Sequence, residues 1–324
     1  MAQLPGLKIG LSMQNTGSIT KSLASNMPRK LLFIVNPNAG KKISEKLIDT
    51  IRQEFPQNIY YQIVIWKDKD HFKEVLDILH SQDYTDAIAV GGDGTVNAVA
   101  KSIVNTSIAL GIVPAGSGNG LARTLGISMK VEEAIKQIAN GHKTKIDNGI
   151  VNGIPFFCTS GIGFDAHIGN LFASSIKRGL QSYIKITITE LFKYKAKEYT
   201  LAFNNQTLKR KAFLITVANA GQYGNDFFIS PQANIQDGLF HIVILKPFSV
   251  FNVFGLMIKI LNKKAHLSKC IETYTATKVT ITRSNKDTIH FDGEPAFEEK
   301  EVVFENKANS LNVIIGDNFK GLNL

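Results

Sequence analysis

Cysteine is scarce in this chain: two residues in 324, Cys158 and Cys270. Two thiols so placed build neither a disulfide framework nor a zinc cluster, and they suit a reducing cytoplasm. Long hydrophobic runs are missing too. A bilayer-spanning helix needs roughly 18 to 20 apolar residues. The nearest approach, Phe248 to Leu261, is broken by Asn252, Gly255 and Lys259. The opening residues lack a charged start followed by an apolar core, so a secretory leader is not expected. No Lys/Arg block resembles a nucleic-acid tail, and nothing fits the phosphate loop GxxxxGK followed by Ser or Thr.

What is present has the balance of a soluble globular protein, 44% hydrophobic and 20% charged. The length suits two ordinary domains or one large one. A net charge of +10 favours anionic partners such as nucleotides, nucleic acid or acidic lipid headgroups, with solubility alone as the plain alternative. The densest basic stretch, Ser174 to Tyr199, mixes Lys177, Arg178, Lys185, Lys193, Lys195 and Lys197 with Tyr183, Ile184, Leu191, Phe192 and Tyr194. It reads as an amphipathic helix whose basic face is solvated or rests on a membrane.

Residues 1–27 have little periodicity and read as a disordered extension. From Leu31 the pattern is regular. LLFIVN, YYQIVIW, DAIAV and ALGIVP read as strands. Each is followed by text with apolar residues at helical spacing, such as Leu47, Ile48, Ile51 and Phe55. Strands alternating with helices imply a parallel sheet covered on both faces. After about Thr144 the rhythm changes. Asn152-Gly153 between apolar runs is a strong hairpin signal. Further hairpins are expected in the text beginning at Tyr199, in KVTITRSNKDTIHFDGEP and in EVVFENKANSLNVIIG. The expected organisation is an α/β domain over 28–145 and a β-rich domain over 146–315. The tail, 316–324, is expected to pack back on the first. A cleft between two architectures is the usual place for a ligand.

Three glycine-bearing loops fall at the carboxyl ends of the parallel strands, where such sheets bind ligands. The first is VNPNAGKK, with Asn36 and Gly40. The second is GGDGT, Gly91 to Thr95, with Gly92, Asp93, Gly94 and then Asn97. The third is PAGSGNGLAR, with Gly116 and Ser117. Glycine lets backbone N–H groups approach phosphate oxygens, and a helix N-terminus adds partial positive charge. A carboxylate at Asp93 sits badly beside phosphate unless a cation such as Mg²⁺ lies between them. The alternative is a tight strand–helix turn with Asp93 or Thr95 as a cap. GIGFDA matches the loose dinucleotide pattern GxGxxA, but it lies in the β-rich half and Tyr183 is not acidic. That match is read as chance.

NPNAG, GGDGT, PAGSGNGLAR, GIGFDA, NIQDGLFHI and FDGEP occur in the order and spacing of the diacylglycerol kinase catalytic-domain superfamily, across roughly Lys30 to Ile315. The chain resembles its bacterial soluble lipid kinases and is also similar to sphingosine and ceramide kinases. The resemblance implies an NAD kinase-like α/β domain and a C-terminal antiparallel β-sandwich. It implies transfer of the γ-phosphate of ATP to a lipid hydroxyl, with Mg²⁺, by a cytoplasmic enzyme that touches the membrane transiently. Asn36, Gly40, Gly92, Asp93, Gly94, Thr95, Asn97, Gly116 and Ser117 would contact nucleotide, with Asp93 also part of the catalytic set. Glu294 would be the general base and Asp165 its support. Asn234, Asp237 and Leu239 would hold a structural Mg²⁺. Phe248 to Leu261 and Lys177 to Lys197 are the candidates for membrane contact, with core packing and a solvated face as the alternatives. No nucleic-acid partner is implied, and a homodimer is left open. Ala98 stands where many relatives have Glu. Ile65 stands near where close relatives place a nucleotide-contacting Thr. PAGSGNGLA is closer to the sphingosine and ceramide kinase wording. An NAD kinase or a nucleotide- or lipid-binding protein of weak activity are the competing readings. The first lacks its usual TGSTAY-like stretch, and the second has to explain why Asp93, Asp165, Asp237 and Glu294 are all present.

Overall fold

The computed structural model describes residues 28–38, 45–175 and 180–321. The expected extension over 1–27, Gly40, and the basic pair Lys177 and Arg178 lie outside the described residues. The first half runs β1 (Lys30–Val35), α1 (Glu45–Glu54), β2 (Tyr60–Ile65), α2 (Lys69–Ser81), β3 (Asp86–Gly91), α3 (Asp93–Ile103), β4 (Ala109–Pro114), α4 (Gly120–Thr124) and α5 (Val131–Asn140). Strands β2, β1, β3 and β4 lie side by side in parallel. β3 and β4 are buried along their whole length, which explains their unbroken apolar text. One core cluster packs Leu32, Ala89, Val99 and Ile112 on one face of the sheet, and another packs Phe33, Ile51, Phe55 and Ile88 on the other.

The second half runs β5 (Lys143–Val151), β6 (Ile154–Phe156), β7 (Thr159–Gly163), α6 (Phe164–Ala173), α7 (Leu180–Leu191), β8 (Lys197–Phe203), β9 (Gln206–Ala212), β10 (Leu214–Ala218), β11 (Phe240–Leu245), α8 (Val250–Leu261), β12 (Ile271–Ala276), β13 (Lys278–Phe291) and β14 (Glu294–Ile314). Nearly all its pairings are antiparallel. Asn152 and Gly153 both have positive φ, as a two-residue type I′ hairpin between β5 and β6 requires. Asn204 and Asn205 do the same between β8 and β9.

The two remaining expected hairpins are not hairpins. KVTITRSNKDTIHF is one strand, β13, and EVVFENKANSLNVI belongs to one strand, β14. The turn-like text SNKD is an irregularity in the β13–β14 register between Thr282 and Asp287. Buried Arg283 spans this break, donating to Glu299 O at 2.7 Å, to Thr288 O at 3.2 Å and to Asp287 O. The text ANS is a second irregularity, where Asn309 takes positive φ and its N–H is accepted by the Asp147 carboxylate at 2.8 Å. Arg283, from the strand itself, and Asp147, from far along the chain, supply what a local turn would have supplied, so each strand continues.

β14 joins the halves. It pairs antiparallel with β13 and β5, then parallel with β4 through Asn312 and Val313, so one sheet of 14 strands spans the molecule. The chain then turns back on the first half. Gly316 N–H donates to Leu125 O at 2.9 Å, and Phe319 packs on the first core. Gly126 has φ +68°, and a Cβ there would lie 2.2 Å from Phe319 N. Gly153 has φ +87° with open space around it. Gly126→Ala is therefore expected to lose stability by about 2 kcal/mol more than Gly153→Ala, which carries only the left-handed penalty of about 1 kcal/mol. Thermal melting of both variants checks this; equal losses would mean that the tail does not hold this corner.

Candidate active site

The second and third glycine loops meet at one edge of the parallel sheet, together with Asn36, which opens the first. Asn36 follows β1, and its Nδ2 donates to Thr95 Oγ1 at 3.0 Å. Its backbone N–H donates to Val90 O at 3.2 Å. Ala115 N–H donates to Gly91 O at 2.8 Å. Gly92 is the N-cap of α3 and gives no side-chain cap, so the first-turn N–H groups of that helix have no such acceptor. These donors and the helix dipole favour an anion beside Gly92 to Thr95.

Asp93 is turned toward the third loop. Its Oδ2 accepts from Asn119 N at 2.9 Å and its Oδ1 from Gly120 N at 2.7 Å. The carboxylate thus ties the second loop to the third. Asn119, in a left-handed conformation, holds that loop closed. Its Oδ1 accepts from Gly116 N at 3.1 Å and its Nδ2 donates to Gly116 O at 2.9 Å. The backbones are in contact as well: a Cβ at Gly116 would lie 2.6 Å from Gly92 Cα, and one at Gly118 would lie 2.7 Å from Asp93 Oδ2. Ser117 is exposed at the loop tip, whereas Thr95 and Asn97 are buried. Asn97 Nδ2 has no hydrogen-bond partner.

The second half contributes a carboxylate. Asp292 and Gly293 both have positive φ and form the tight turn between β13 and β14, which leaves Glu294 at the hairpin's end. Glu294 is exposed, and its Oε1 would lie 2.8 Å from a Cβ placed on Gly94. Gly94 therefore leaves room for the acid from the other half. The turn itself is clamped. Asp292 accepts three backbone N–H bonds, from Phe157 at 2.9 Å, Cys158 at 2.7 Å and Thr159 at 3.1 Å. Burial pushes the Asp292 carboxyl up, while those N–H groups and the Lys101 charge pull it back.

Lys101 was not singled out from the sequence, where a lysine on an amphipathic helix reads as solvated. It lies two turns beyond Gly94 on α3, with Nζ 4.1 Å from the centroid of the Phe291 ring. Burial lowers its pKa, against the opposing pull of Asp292 and Glu294. Its only signal in the sequence is its i+7 spacing from Gly94, which shares a helix face.

Asp165 binds elsewhere on the same hairpin. Its Oδ2 is 2.9 Å from His290 Nε2 and accepts from Thr216 Oγ1 and Tyr223 OH, each at 3.2 Å. His290 precedes Glu294 by four residues on the β13–β14 hairpin, so Asp165 fixes the strand that leads to the acid. Among Asn234, Asp237 and Leu239, the Asp237 carboxylate accepts from Leu239 N at 2.9 Å and Asn234 Oδ1 accepts from Gln236 N at 3.0 Å. Next to them Asp147, also missed in the sequence, accepts from Gly238 N at 2.7 Å. Burial and, secondarily, the Asp237 charge raise its pKa. These three residues form a loop beside β5, separate from the glycine rim.

The close backbone contact at Gly116 makes a prediction. Gly116→Ala is expected to cost about 2 kcal/mol or more, because neither loop can move without breaking the Asp93 and Asn119 bonds. Ser117→Ala, one residue away and exposed, is expected to stay within about 0.5 kcal/mol. Urea unfolding of the pair measures this; a neutral Gly116→Ala would mean that the loops are not locked together.

Family models match the chain in two adjoining parts. Residues 30–151 match the diacylglycerol kinase catalytic domain, and residues 159–315 match the YegS C-terminal NAD kinase beta sandwich-like domain. The chain is 25% identical to a diacylglycerol kinase of Bacillus subtilis over 276 residues, which covers 82% of this chain and 90% of that one. It superposes with a TM-score of 0.70 on a diacylglycerol kinase from Bacillus anthracis, at 20% identity, covering 91% and 100% of the two chains. An NAD kinase from Archaeoglobus fulgidus, solved in complex with ATP, aligns with a TM-score of 0.50 at 11% identity, covering 89% and 94%. At those identities the two solved structures speak for the fold alone. With both matched parts in order, and with the glycine rim and the FDGEP hairpin brought together, the chain belongs to the diacylglycerol kinase catalytic-domain superfamily.

Proposed function

We propose that the protein is an ATP-dependent lipid kinase that transfers the γ-phosphate to a lipid hydroxyl, diacylglycerol or a related single-hydroxyl lipid. The observation that carries this reading is the approach of Glu294 Oε1 to Gly94 at the N-terminus of α3. An anion-binding helix end and an exposed carboxylate face one another across the two halves of the chain. That is the arrangement a phosphoryl transfer to an alcohol needs: one side positions phosphate, the other takes a proton.

Each residue then has a task. The N–H groups beginning α3, left uncapped by Gly92, hold phosphate oxygens. The Asp93 and Asn119 bonds keep the second and third loops at fixed spacing, so the donors are preorganised. Glu294 accepts the proton of the lipid hydroxyl as its oxygen attacks the γ-phosphorus and ADP leaves. Asp292, through three N–H bonds, and Asp165, through His290, hold the hairpin that presents Glu294. Lys101 supplies a positive charge near both hairpin acids.

Among the described residues no cluster of three or more His, Cys, Asp or Glu side chains could hold a metal. The donors near the rim and in the 234–239 loop are oxygens, which suits Mg²⁺ shared between one carboxylate and phosphate oxygens. Bound there, Mg²⁺ would neutralise charge on the phosphates. Asp93 at the rim and Asp237 with the Asn234 and Leu239 carbonyls are the residues that would hold it. The donor set fits, with phosphate supplying the remaining ligands at the rim.

Asp93 has a structural duty, so Asp93→Asn confounds folding with chemistry, and Glu294→Gln is the cleaner variant. With γ-labelled ATP, Mg²⁺ and a panel of diacylglycerol, sphingosine, ceramide, undecaprenol and NAD, the wild type is expected to label one lipid class. Glu294→Gln is expected to lose ~10²- to 10⁴-fold in kcat with ATP affinity retained. Label appearing in NAD, or Glu294→Gln retaining full kcat, would sink the proposal.

A further inference from the structure

Helix α8 is apolar on every side but one, and only half of it is covered. Leu256 and Ile260 are buried against α6 and the strand ends, in a cluster with Phe164, Phe213 and Leu245. Across the helix, Phe251 is 95% exposed and Phe254 77% exposed, and Ile258 and Leu261 continue the same outer stripe at helical spacing. Leu267, just beyond the helix, is exposed as well. A helix that is hydrophobic around most of its circumference belongs in a core or in lipid. Two nearly bare phenylalanines one turn apart are not the scattered single apolar residues of an ordinary surface.

Charge selects what covers this face. From Gly238 to Ile271 the sequence has no Asp or Glu and five lysines: Lys246, Lys259, Lys263, Lys264 and Lys269. Lys263, Lys264 and Lys269 are exposed and lie just past the C-terminal end of the stripe. The neighbouring α7 repeats the pattern. Ile184 and Ile188 are exposed around Lys185, and no acid occurs from Ala166 to Thr189. Both helices pack on one core cluster, with Phe213 between Tyr194 after α7 and Phe248 before α8. The cores of protein–protein interfaces are depleted in lysine, whereas exposed aromatics ringed by lysines match the headgroup region of an anionic bilayer. At 12 residues α8 is roughly 18 Å long, too short to cross the hydrocarbon core. Among the described residues no helix is long and apolar enough to cross a membrane. The geometry is that of a helix lying in the interface.

We infer that α8 is a membrane-docking helix: Phe251, Phe254, Ile258 and Leu261 enter the acyl boundary of an anionic leaflet, while Lys263, Lys264 and Lys269 meet its headgroups. This surface is a matter of exposure and charge, so it stands apart from the kinase reading. A bridge to the site exists all the same. The cluster under α8 includes α6, and Gly169 of α6 abuts Gly293 in the turn before Glu294, where a Cβ would lie 3.6 Å from Gly293 O.

Co-sedimentation of the full chain with vesicles tests the inference. Vesicles of phosphatidylcholine mixed with phosphatidylglycerol are expected to bind the wild type, and phosphatidylcholine alone much less. Phe251→Ser with Phe254→Ser is expected to lower the partition constant on the order of tenfold per phenylalanine. Because both side chains are exposed, thermal melting should not change. Changing Lys263, Lys264 and Lys269 to Gln is expected to weaken only the anionic vesicles, by roughly fivefold per lysine at low salt. Glu294→Gln is expected to bind vesicles as the wild type does, so a failed kinase assay leaves this result intact. Absent binding to anionic vesicles, or binding that ignores the phenylalanine pair, overturns the inference. So does a solution dimer that the pair dissolves while vesicles go unbound, which would assign the face to a second copy of the chain.

Discussion

β14 begins at Glu294 and ends, 20 residues later, paired in parallel with β4, the strand that runs into the third glycine loop. A single extended segment therefore carries the acid at one end and is anchored in the nucleotide-type sheet at the other. Extended backbone with hydrogen bonds on both sides is stiff, so the two halves of the site cannot drift independently. The second half also packs directly on the loops. Arg123 pairs with Asp226 at 3.3 Å, and a Cβ at Gly120 would lie 3.3 Å from Tyr223 O. In this chain the boundary between domains is a line on one sheet and not a flexible linker, and catalysis by positioning needs that rigidity.

The glycines of the rim have two duties that are easily confused. Gly116 and Gly118 are required by the fold before any ligand arrives, because a Cβ would lie 2.6 Å from Gly92 Cα at the first and 2.7 Å from Asp93 Oδ2 at the second. Gly94 is different: the atom that a side chain would meet is Glu294 Oε1, which comes from the other half of the chain. The same bare backbone that leaves α3 without a side-chain cap thus also lets the loops nest closely. Asp93 shows the same economy. Its two bonds to the start of α4 place a negative charge where backbone donors offset it, so a carboxylate can stand beside a helix end whose dipole favours anions.

The parallel half was legible because its signals are local. Each strand is apolar throughout, each helix has an inward face, and Asn152-Gly153 dictates its own turn. The FDGEP acid was legible only as part of a set of motifs, since one Glu after a tight turn has no distinctive periodicity. Most of what stayed hidden depends on contacts far along the chain. ANS reads as a turn because nothing nearby shows that Asp147, 162 residues away, accepts from Asn309, and SNKD reads as one because a lone Arg283 beside it gives no sign of bonding across the strand pair. Asp165 could be placed near the acid but not connected through His290, which is 125 residues away in sequence. Lys101 was invisible because its burial comes from a hairpin almost 200 residues later.

The exposed face of α8 sets a different physical demand from the rest of the molecule. The rim and hairpin are held by backbone-to-carboxylate bonds, which fix geometry tightly. The α6–α8 layer is held mainly by apolar side chains, with Asp165 of α6 bonded to the sheet through His290 and Thr216. On the proposed function, an acceptor with a long apolar tail would have to leave a bilayer to meet Glu294. On the same reading, docking through the outer face of α8, with Glu294 on the sheet beneath, would bring the protein to a membrane without moving that acid relative to the α3 N-terminus. Two contacts tie α6 to the hairpin that carries the acid: Asp165 bonds His290 at 2.9 Å, and Gly169 meets Gly293, where two glycines keep the spacing small.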